Sequence, residues 1–521
     1  MNRTAIKTLI AVATFLVATA VWPQQPFNLD PGFRFNAESA YIASILPLPD
    51  GDLIVSGLIA VPGEWPLERG GAKLHPNGSL DPNFPANALM GGKITPWQDR
   101  FYCGNGQGVR RLLITGELDT GYIPMSHVTY LHVTQGGDYH VFPDGRVLVS
   151  GLHLLQDSIH GYMGLYGLTW FTEHGYLDTT RVHRTANGSI FNLFPLPDGK
   201  FLCSGFASNF DGHSLPSSVF RVMDDGALDT TFQAPLGYVS ARAAYALPNG
   251  KLMIGGDPSY LDNGDTLNLM RLMPDGSMDP SFHKPVLRHY NPISGWSPGP
   301  IVTNITPLDD DKYIISGTFT EVDGQPRGSI ALIDTAGNLL DELFTGDGCG
   351  GYQWATTEYW GWLKTIAGIT QAYDGSYYIY GAYHGYDDGT TNDASQRLIS
   401  RLYGLNVGIH EQQADQPQPL QIAPNPSAGS TVFSAPAPLS NTELYIHDGS
   451  GRLVWQVEWP AGAEQYTLPA GALAPGAYVV RVASASRASR TSATSATTPG
   501  HQGPGAETLM EQYTGRLVVM P

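Results

Sequence analysis

The chain has 521 residues, 42% of them hydrophobic and 15% charged. That is ample material for packed cores and too much for a single one, so two or more domains are expected and global disorder is excluded. A formal net charge of −18 lacks the clustered Lys and Arg that nucleic acid or an anionic membrane surface would require.

Composition also sets the fold class. Gly (61) and Pro (39) supply many turns, and aromatics reach 11%, which together point to an all-β chain. The three cysteines, Cys103, Cys203 and Cys349, are far apart and form no CxxC pair, so neither a zinc motif nor a redox motif is supported. One disulfide among them would still leave a free thiol, and small buried apolar residues are the simpler reading.

The N-terminus reads as a processing signal. Arg3 and Lys7 precede an apolar run from Thr8 to Val21, and Ala18-Thr19-Ala20 fits the small-residue cleavage rule, so residues 1–20 are expected to be a signal peptide cut after Ala20. The run falls short of a spanning helix of about 20 residues. No later stretch approaches one, so the mature chain is expected to have no transmembrane segment.

Residues 28–410 form a repeat array. One element is an Asp/Asn-Gly turn followed by an apolar strand that ends in Gly. It appears at Leu48–Gly57, Phe142–Gly151, Leu196–Gly205 and Leu247–Gly256, more loosely at Leu308–Gly317 and Ala372–Gly381, and in worn form at Trp97–Gly104. A second element reads Leu/Met-Asp-x-x-Phe after a Gly turn, best at Asn77–Phe84, Asp225–Phe232 and Asp275–Phe282. Weaker copies stand at Gly116–Tyr122, Gly175–Arg181 and Gly337–Phe344, and an orphan at Leu29–Phe33 precedes the first complete repeat.

Asp-Gly and Asn-Gly favour the φ > 0 turns that join antiparallel strands. Repeats starting about 45 to 64 residues apart leave room for four short strands each, the make-up of a propeller blade. Seven copies predict a seven-bladed β-propeller, with six or eight blades as alternatives. The last repeat, ending near Asn406, has no Leu-Asp-x-x-Phe after it, so the orphan copy is expected to complete it and close the ring. The two elements resemble those of the delta-60 repeat family, and the resemblance implies an exported β-propeller without implying any particular activity.

Residues 411–419 are polar and Pro-rich, a linker by composition. Residues 420–521 then read as a small Ig-like β-sandwich, with strands expected at 443–447, 453–457, 465–468, 476–482 and 515–520. Ala483 to Gln512 is a Ser/Ala/Thr-rich insertion expected to be disordered.

The order Pro424-Asn425-Pro426, Gly451-Arg452, Gly476, Tyr478, Arg481 and a terminal Leu517–Val519 strand is similar to the type A sorting domain of the type IX secretion system. That resemblance implies export across the outer membrane by the type IX machinery, with anchoring to surface lipopolysaccharide or release. A secreted or outer-surface location is therefore expected.

Candidate ligand sites are sparse. Six residues after the strand-ending Gly stand Asp157, Asp211, Asp262, Asp323 and Asp387, whose carboxylates could hold calcium. Asp-Gly turn chemistry is the stronger reading of them, and no other cofactor is indicated. His127, His132, His140, His153, His160, His174 and His183 crowd one region without an HExxH or H-x-H spacing. Gly104–Gly108 and Gly346–Gly350 are Gly-rich but open no helix of a βαβ unit.

Trp354, Tyr359, Trp360 and Trp362 lie in a long inter-repeat stretch and are candidates for stacking on a ligand, against burial between blades. With no catalytic constellation in view, the expected function is a non-catalytic repeat propeller that binds a glycan, protein or extracellular polymer. A hydrolase or lyase with its site in the channel is the alternative.

Overall fold

The computed structural model describes residues 25–37, 40–63, 68–86, 89–105, 108–237, 240–260, 266–292, 299–309, 311–353, 362–405, 418–425, 427–439, 442–448, 452–485 and 509–519. The expected signal peptide and most of the linker and insertion lie outside these residues. The described chain is all-β, its one helical turn being the 3-10 segment Met125–His127. None of its helices is long and apolar enough to cross a membrane. It divides into two compact units, 1–408 and 409–521.

The first unit is a succession of antiparallel sheets, one at each copy of the Asp/Asn-Gly element. The first consists of Ala40–Pro47, Leu53–Ala60 and Glu68–Leu74. The second is Lys93–Trp97, Arg100–Asn105 and Gly108–Leu113. The third, with longer strands, is Leu131–Val141, Val147–Asp157, Tyr162–Phe171 and Arg184–Thr185. The fourth is Ile190–Pro195, Phe201–Gly205 and Val219–Val222, and the fifth Ala241–Ala246, Leu252–Tyr260 and Thr266–Leu272. The sixth is Ile301–Pro307, Lys312–Thr318, Ile330–Asp334 and Leu339–Leu340. The seventh is built on Thr365–Gln371, Tyr377–Asp387 and Asn392–Leu402.

The Gly expected to end each second strand lies inside it in most sheets, as Gly57 in Leu53–Ala60 and Gly381 in Tyr377–Asp387, and it has a packing reason. A Cβ on Gly57, Gly205, Gly256, Gly317 or Gly381 would sit 2.0–2.2 Å from a main-chain carbonyl oxygen of the first strand or of the residue just before it. The first strand carries a bulge at that point in each of these sheets, between Ile42 and Ser44 in the first and Val302 and Asn304 in the sixth.

The fourth strand expected of each repeat shrinks in most sheets to a single bridge, as in Leu74–Leu80, Leu112–Leu118, Val222–Leu228 and Leu272–Met278. The next residue, the Asp of Leu-Asp-x-x-Phe, turns the chain away. Its N–H donates to the third strand (Asp229 to the Arg221 carbonyl, 2.9 Å), while its carboxylate accepts from the N–H two residues on (Thr231, 3.0 Å).

That Asp also ties the two repeated elements together. In the fourth sheet Asp229 Oδ2 accepts from Arg221 Nε at 2.8 Å and from Lys200 Nζ of the Pro-Asp-Gly-Lys turn at 2.9 Å. In the fifth, Asp279 Oδ2 accepts from Arg271 Nε at 2.7 Å and Lys251 Nζ at 2.8 Å. The arginines reach onward to the next sheet's turn, Arg221 to the Pro274 carbonyl and Arg271 to that of Thr335. Each guanidinium also lies over the Phe of its own motif, Phe232 or Phe282. Burial works against the Asp229 and Asp279 charges, but these donors outweigh it and hold both carboxyls well below the ordinary range.

The orphan N-terminal copy supplies the same parts to the seventh sheet. Leu29 bridges Leu402, Asp30 N–H donates to the Arg401 carbonyl at 2.8 Å, and Arg401 pairs with Asp30 at 3.2 Å. Phe33 is fully buried and packs edge-on against Tyr378. One hydrophobic core contains Ile42, Val55 and Leu74 of the first sheet together with Leu398 and Ile399 of the seventh. The first strands of the two sheets meet as well.

The second unit packs two sheets over one core that includes Phe433, Leu444, Ile446, Val480 and Leu517. Gln421–Ala423, Thr431–Leu439 and Ala463–Leu468 form the smaller sheet. The larger runs in the order Gln418–Pro419, Leu509–Val519, Gly476–Ala485, Thr442–Asp448 and Leu453–Glu458.

Candidate functional site

The described acidic positions are engaged in local structure. Asp211 and Asp323 have φ of 51° and 49° and are followed by Gly212 and Gly324 at 81° and 78°, the geometry of two-residue hairpin turns. Asp211 N–H donates to the Thr185 carbonyl of the third sheet and Asp323 N–H to that of Val286, in the segment after the fifth sheet, each at 2.9 Å. Asp211 also pairs with Arg184 at 2.9 Å and Asp323 with His283 at 3.0 Å. Asp157 pairs with His160 at 2.7 Å, and Asp387 accepts from Gly389 N–H at 2.8 Å.

Asp262 lies outside the described residues. Among the described residues no group of three or more His, Cys, Asp or Glu is placed to hold a metal ion.

Trp354, Tyr359 and Trp360 also fall outside the described residues. Trp362 is half-buried in the hairpin Tyr352–Gln353/Trp362–Leu363, its indole against Gly351. Tyr352 stacks flat on His384, ring centroids 3.9 Å apart. The three cysteines are free and buried, and burial pushes the Cys349 thiol up to about 11, so none offers a thiolate.

The first strands of neighbouring sheets contact one another, and they offer an equivalent row of positions. Counted from the Asp/Asn-Gly turn, the row reads Ser44, Lys93, Asp138, Asn192, Ala243, Asn304 and Gly368. Its members are tied across sheets: Ile94 N–H donates to Ser44 Oγ at 3.2 Å and Lys93 Nζ to Asp138 Oδ1 at 3.0 Å. The row therefore carries one ammonium and one carboxylate, already paired.

Beside this pair lies a cavity of about 250 Å³ between the second and third sheets, at the ends of the strands away from the Asp/Asn-Gly turns. His153 and Ser150 line it with Lys93 and Asp138. His153 is fully buried with its Nδ1 3.2 Å from Thr169 Oγ1, and burial pushes its imidazole down to about 4, so it is neutral at physiological pH. None of these four had been singled out as a ligand site from the sequence, although His153 was noted among the crowded histidines. Aligning the repeats would have shown a Gly136-Gly137 pair and the row's two charged residues, Lys93 and Asp138, in neighbouring repeats.

In the second unit the expected sorting motif assembles around the last strand. Leu509–Val519 pairs along the whole of Gly476–Ala485. Asn425 Oδ1 accepts from Val518 N–H at 3.0 Å, and Ser427 bridges Val519 in parallel. Pro424 adjoins this clamp through a cis Ala423–Pro424 bond. Buried Tyr478 donates its hydroxyl to the Ala474 carbonyl at 2.6 Å and pairs with Leu517. Arg452 pairs with Asp448 at 3.1 Å on the surface, Gly476 opens its strand opposite Val519, and Arg481 stands opposite Tyr445 and Thr514. Pro426 and Gly451 lie outside the described residues.

Residues 247–282 match the family model described as "Domain of unknown function (DUF5122) beta-propeller". Residues 421–493 match "Secretion system C-terminal sorting domain". No curated protein matches the sequence.

Among solved structures the chain is similar to PorZ, described as an essential bacterial surface component of the type IX secretion system of Porphyromonas gingivalis. Identity is 14%, coverage 95% of this chain and 61% of that one, and the TM-score 0.36. The chain thus spans about three-fifths of that protein's length. It is also similar to the Pan2 WD40 domain of Neurospora crassa (9% identity, 74% and 99% covered, TM-score 0.33). A third match is a GH74 xyloglucanase of Xanthomonas campestris (11%, 90% and 83% covered, TM-score 0.33). The chain carries a β-propeller repeat of the DUF5122 kind and a type IX sorting domain, and the latter marks it for secretion to the outer cell surface or beyond.

Proposed function

We propose that the seven sheets are the blades of one closed ring, followed by an Ig-like sandwich, and that the protein is a non-catalytic surface or secreted propeller that binds a glycan, protein or extracellular polymer. The observation that carries this reading is the contrast between the turns and the connections. The Asp/Asn-Gly and Gly-turn ends recur in most repeats, and in the second, fourth and fifth sheets an arginine staples them to the next sheet. By contrast, the second-to-third-strand connections differ, as in the hairpins Asn209–Phe210/His213–Ser214 and Glu321–Val322/Gln325–Pro326. Rigid scaffolds with variable connections commonly bind through the connections.

The lone Lys93–Asp138 pair in the central row also favours binding over chemistry, since glycosidic hydrolysis uses two carboxyl groups across the bond. Type IX export would place the chain where surface polymers and partner proteins are met, with lipopolysaccharide anchoring or release as its fate.

The test is a glycan array and cell-surface pull-down with the mature protein, run beside hydrolase and lyase assays on polysaccharides. Saturable binding without turnover is the expected result. Turnover that is lost on Asp138→Asn would replace this reading with the enzymatic one.

A further inference from the structure

The cavity between the second and third sheets has a chemistry of its own, which goes beyond the polymer ligands proposed above. The space is a concave pocket partly open to solvent, and the backbone that borders it is irregular. The first strand of the third sheet carries two irregularities, between Val133 and Gln135 and between Gly136 and Tyr139, where the first strands of the first, fourth, fifth, sixth and seventh sheets carry one. Bulges of this kind re-aim side chains beside functional sites. Gly92, Gly104, Gly108, Gly136 and Gly137 line the space; a Cβ on Gly104 would strike the Tyr139 ring and one on Gly137 the Ile190 carbonyl, each at 2.3 Å, so close packing fixes these two.

The polar groups are few and of both signs. Lys93 Nζ donates to Asp138 Oδ1 at 3.0 Å and to the Tyr139 carbonyl at 2.9 Å, leaving one ammonium proton, and its side chain is 44% exposed. Asp138 Oδ1 is used by Lys93 and by Tyr139 N–H, while Oδ2 takes only the long 3.4 Å contact from Leu193 N–H. The remaining wall is aliphatic: Val109, Met125, Val133 and Val149. Tyr139 is no platform for a sugar ring, because it is buried with its hydroxyl given to the Lys93 and Tyr102 carbonyls. At about 250 Å³ the space lies below the ~300–1,000 Å³ of drug-sized pockets, so the occupant is small.

We infer that this cavity binds a small zwitterion with an aliphatic side chain, a free α-amino acid or a dipeptide, its carboxylate on Lys93, its ammonium on Asp138 Oδ2 and its side chain among the valines and Met125. The inference concerns a small ligand and is tested separately from the polymer-binding reading above.

The experiment is titration calorimetry on the mature full-length chain with L-leucine, L-methionine, Leu-Leu, N-acetyl-leucine, leucine amide and glucose. Leucine or methionine is expected to bind with a Kd below about 1 mM. N-acetylation, amidation and the substitutions Asp138→Asn and Lys93→Gln are each expected to weaken binding about tenfold or more. Asp138→Asn keeps the Oδ1 acceptor and Lys93→Gln changes a half-exposed side chain, so an unshifted melting temperature establishes that both variants fold.

Tighter binding of Leu-Leu than of leucine identifies peptides as the source of the same chemistry. No zwitterion binding at 10 mM by folded protein, equal binding of N-acetyl-leucine, or preference for glucose overturns the inference. If surface polymers still bind in that case, the broader reading survives it; if neither class binds, both fail.

Discussion

The fifth and seventh sheets are built from the same parts delivered by different routes. In the fifth, Met278 and Asp279 follow Leu272 and Arg271 within a few residues, and the bridge, the ion pair and the Phe282 contact close as a local turn. In the seventh, the partners of Leu402 and Arg401 are Leu29 and Asp30, from the far end of the unit. Ideal-chain scaling makes closing that long loop costlier than the eight-residue one by about 3 kcal/mol. The local staples can therefore form early, and the distant one completes after the intervening sheets have stacked. Identical chemistry serves as a turn in one place and as a clasp in the other.

Removing the clasp is the most severe way to break this comparison. Deleting residues 25–37 takes away Phe27, Leu29, Phe33 and Phe35, all at 4% exposure or less. At about 1.5–3 kcal/mol for each buried apolar side chain, the loss rivals the whole stability of a domain. The truncated protein is expected to show no cooperative thermal transition by circular dichroism.

Next in size is Asp279→Ala, which leaves both Arg271 and Lys251 without their partner in a buried setting and is expected to cost about 3–5 kcal/mol in urea unfolding. The equivalent clasp change, Asp30→Ala, is expected to cost less, because Arg401 keeps its second partner Asp374. Equal costs for the two would contradict the distinction between a doubly loaded local staple and a shared distant one.

A third measurement is stability against pH. His153, His183 and His384 are each held near 4 by burial, against an ordinary value of 6.5. The unfolded chain therefore takes up protons first as pH falls. Their contribution is complete above about 6.5 and is lost progressively on acidification towards 4. For fully buried His153 the loss reaches about 3 kcal/mol. A His153→Gln variant is expected to flatten the decline between pH 6.5 and 4.

The smallest effect belongs to the second unit. Asp448→Ala removes the pair with a largely exposed Arg452 and the bond from Arg452 N–H to Oδ1, and is expected to shift stability by no more than about 1 kcal/mol.

Much of this was written in the sequence because it is local. The Asp-Gly turns, the strand-ending Gly and the Leu-Asp-x-x-Phe motif each specify a backbone geometry within a few residues, and the orphan copy at Leu29 announced its own missing partner. The strand Thr431–Leu439 was not anticipated, its alternation being interrupted by Pro436 and Pro438.

The reduction of most fourth strands to one bridge escaped as well, since the Asp that ends them acts through side-chain bonds rather than through hydrophobic pattern. The cavity was hidden for a different reason. Lys93, Asp138 and His153 belong to different strands, and only the packing of two sheets brings them to one place. The Arg–Asp staples stood between these cases. An arginine eight residues before the Asp recurs at Arg111, Arg221 and Arg271, but the spacing takes on meaning only once the turn between them is known to fold back.

The clasp makes completeness a condition of folding. A chain that stops before residue 402, through stalled synthesis or proteolysis, lacks the partner of Leu29 and leaves the cover of Phe27 and Phe33 incomplete, so its leading segment is expected to be more open to proteases. The propeller thus checks its own length: its first residues are satisfied only when its last strand has arrived.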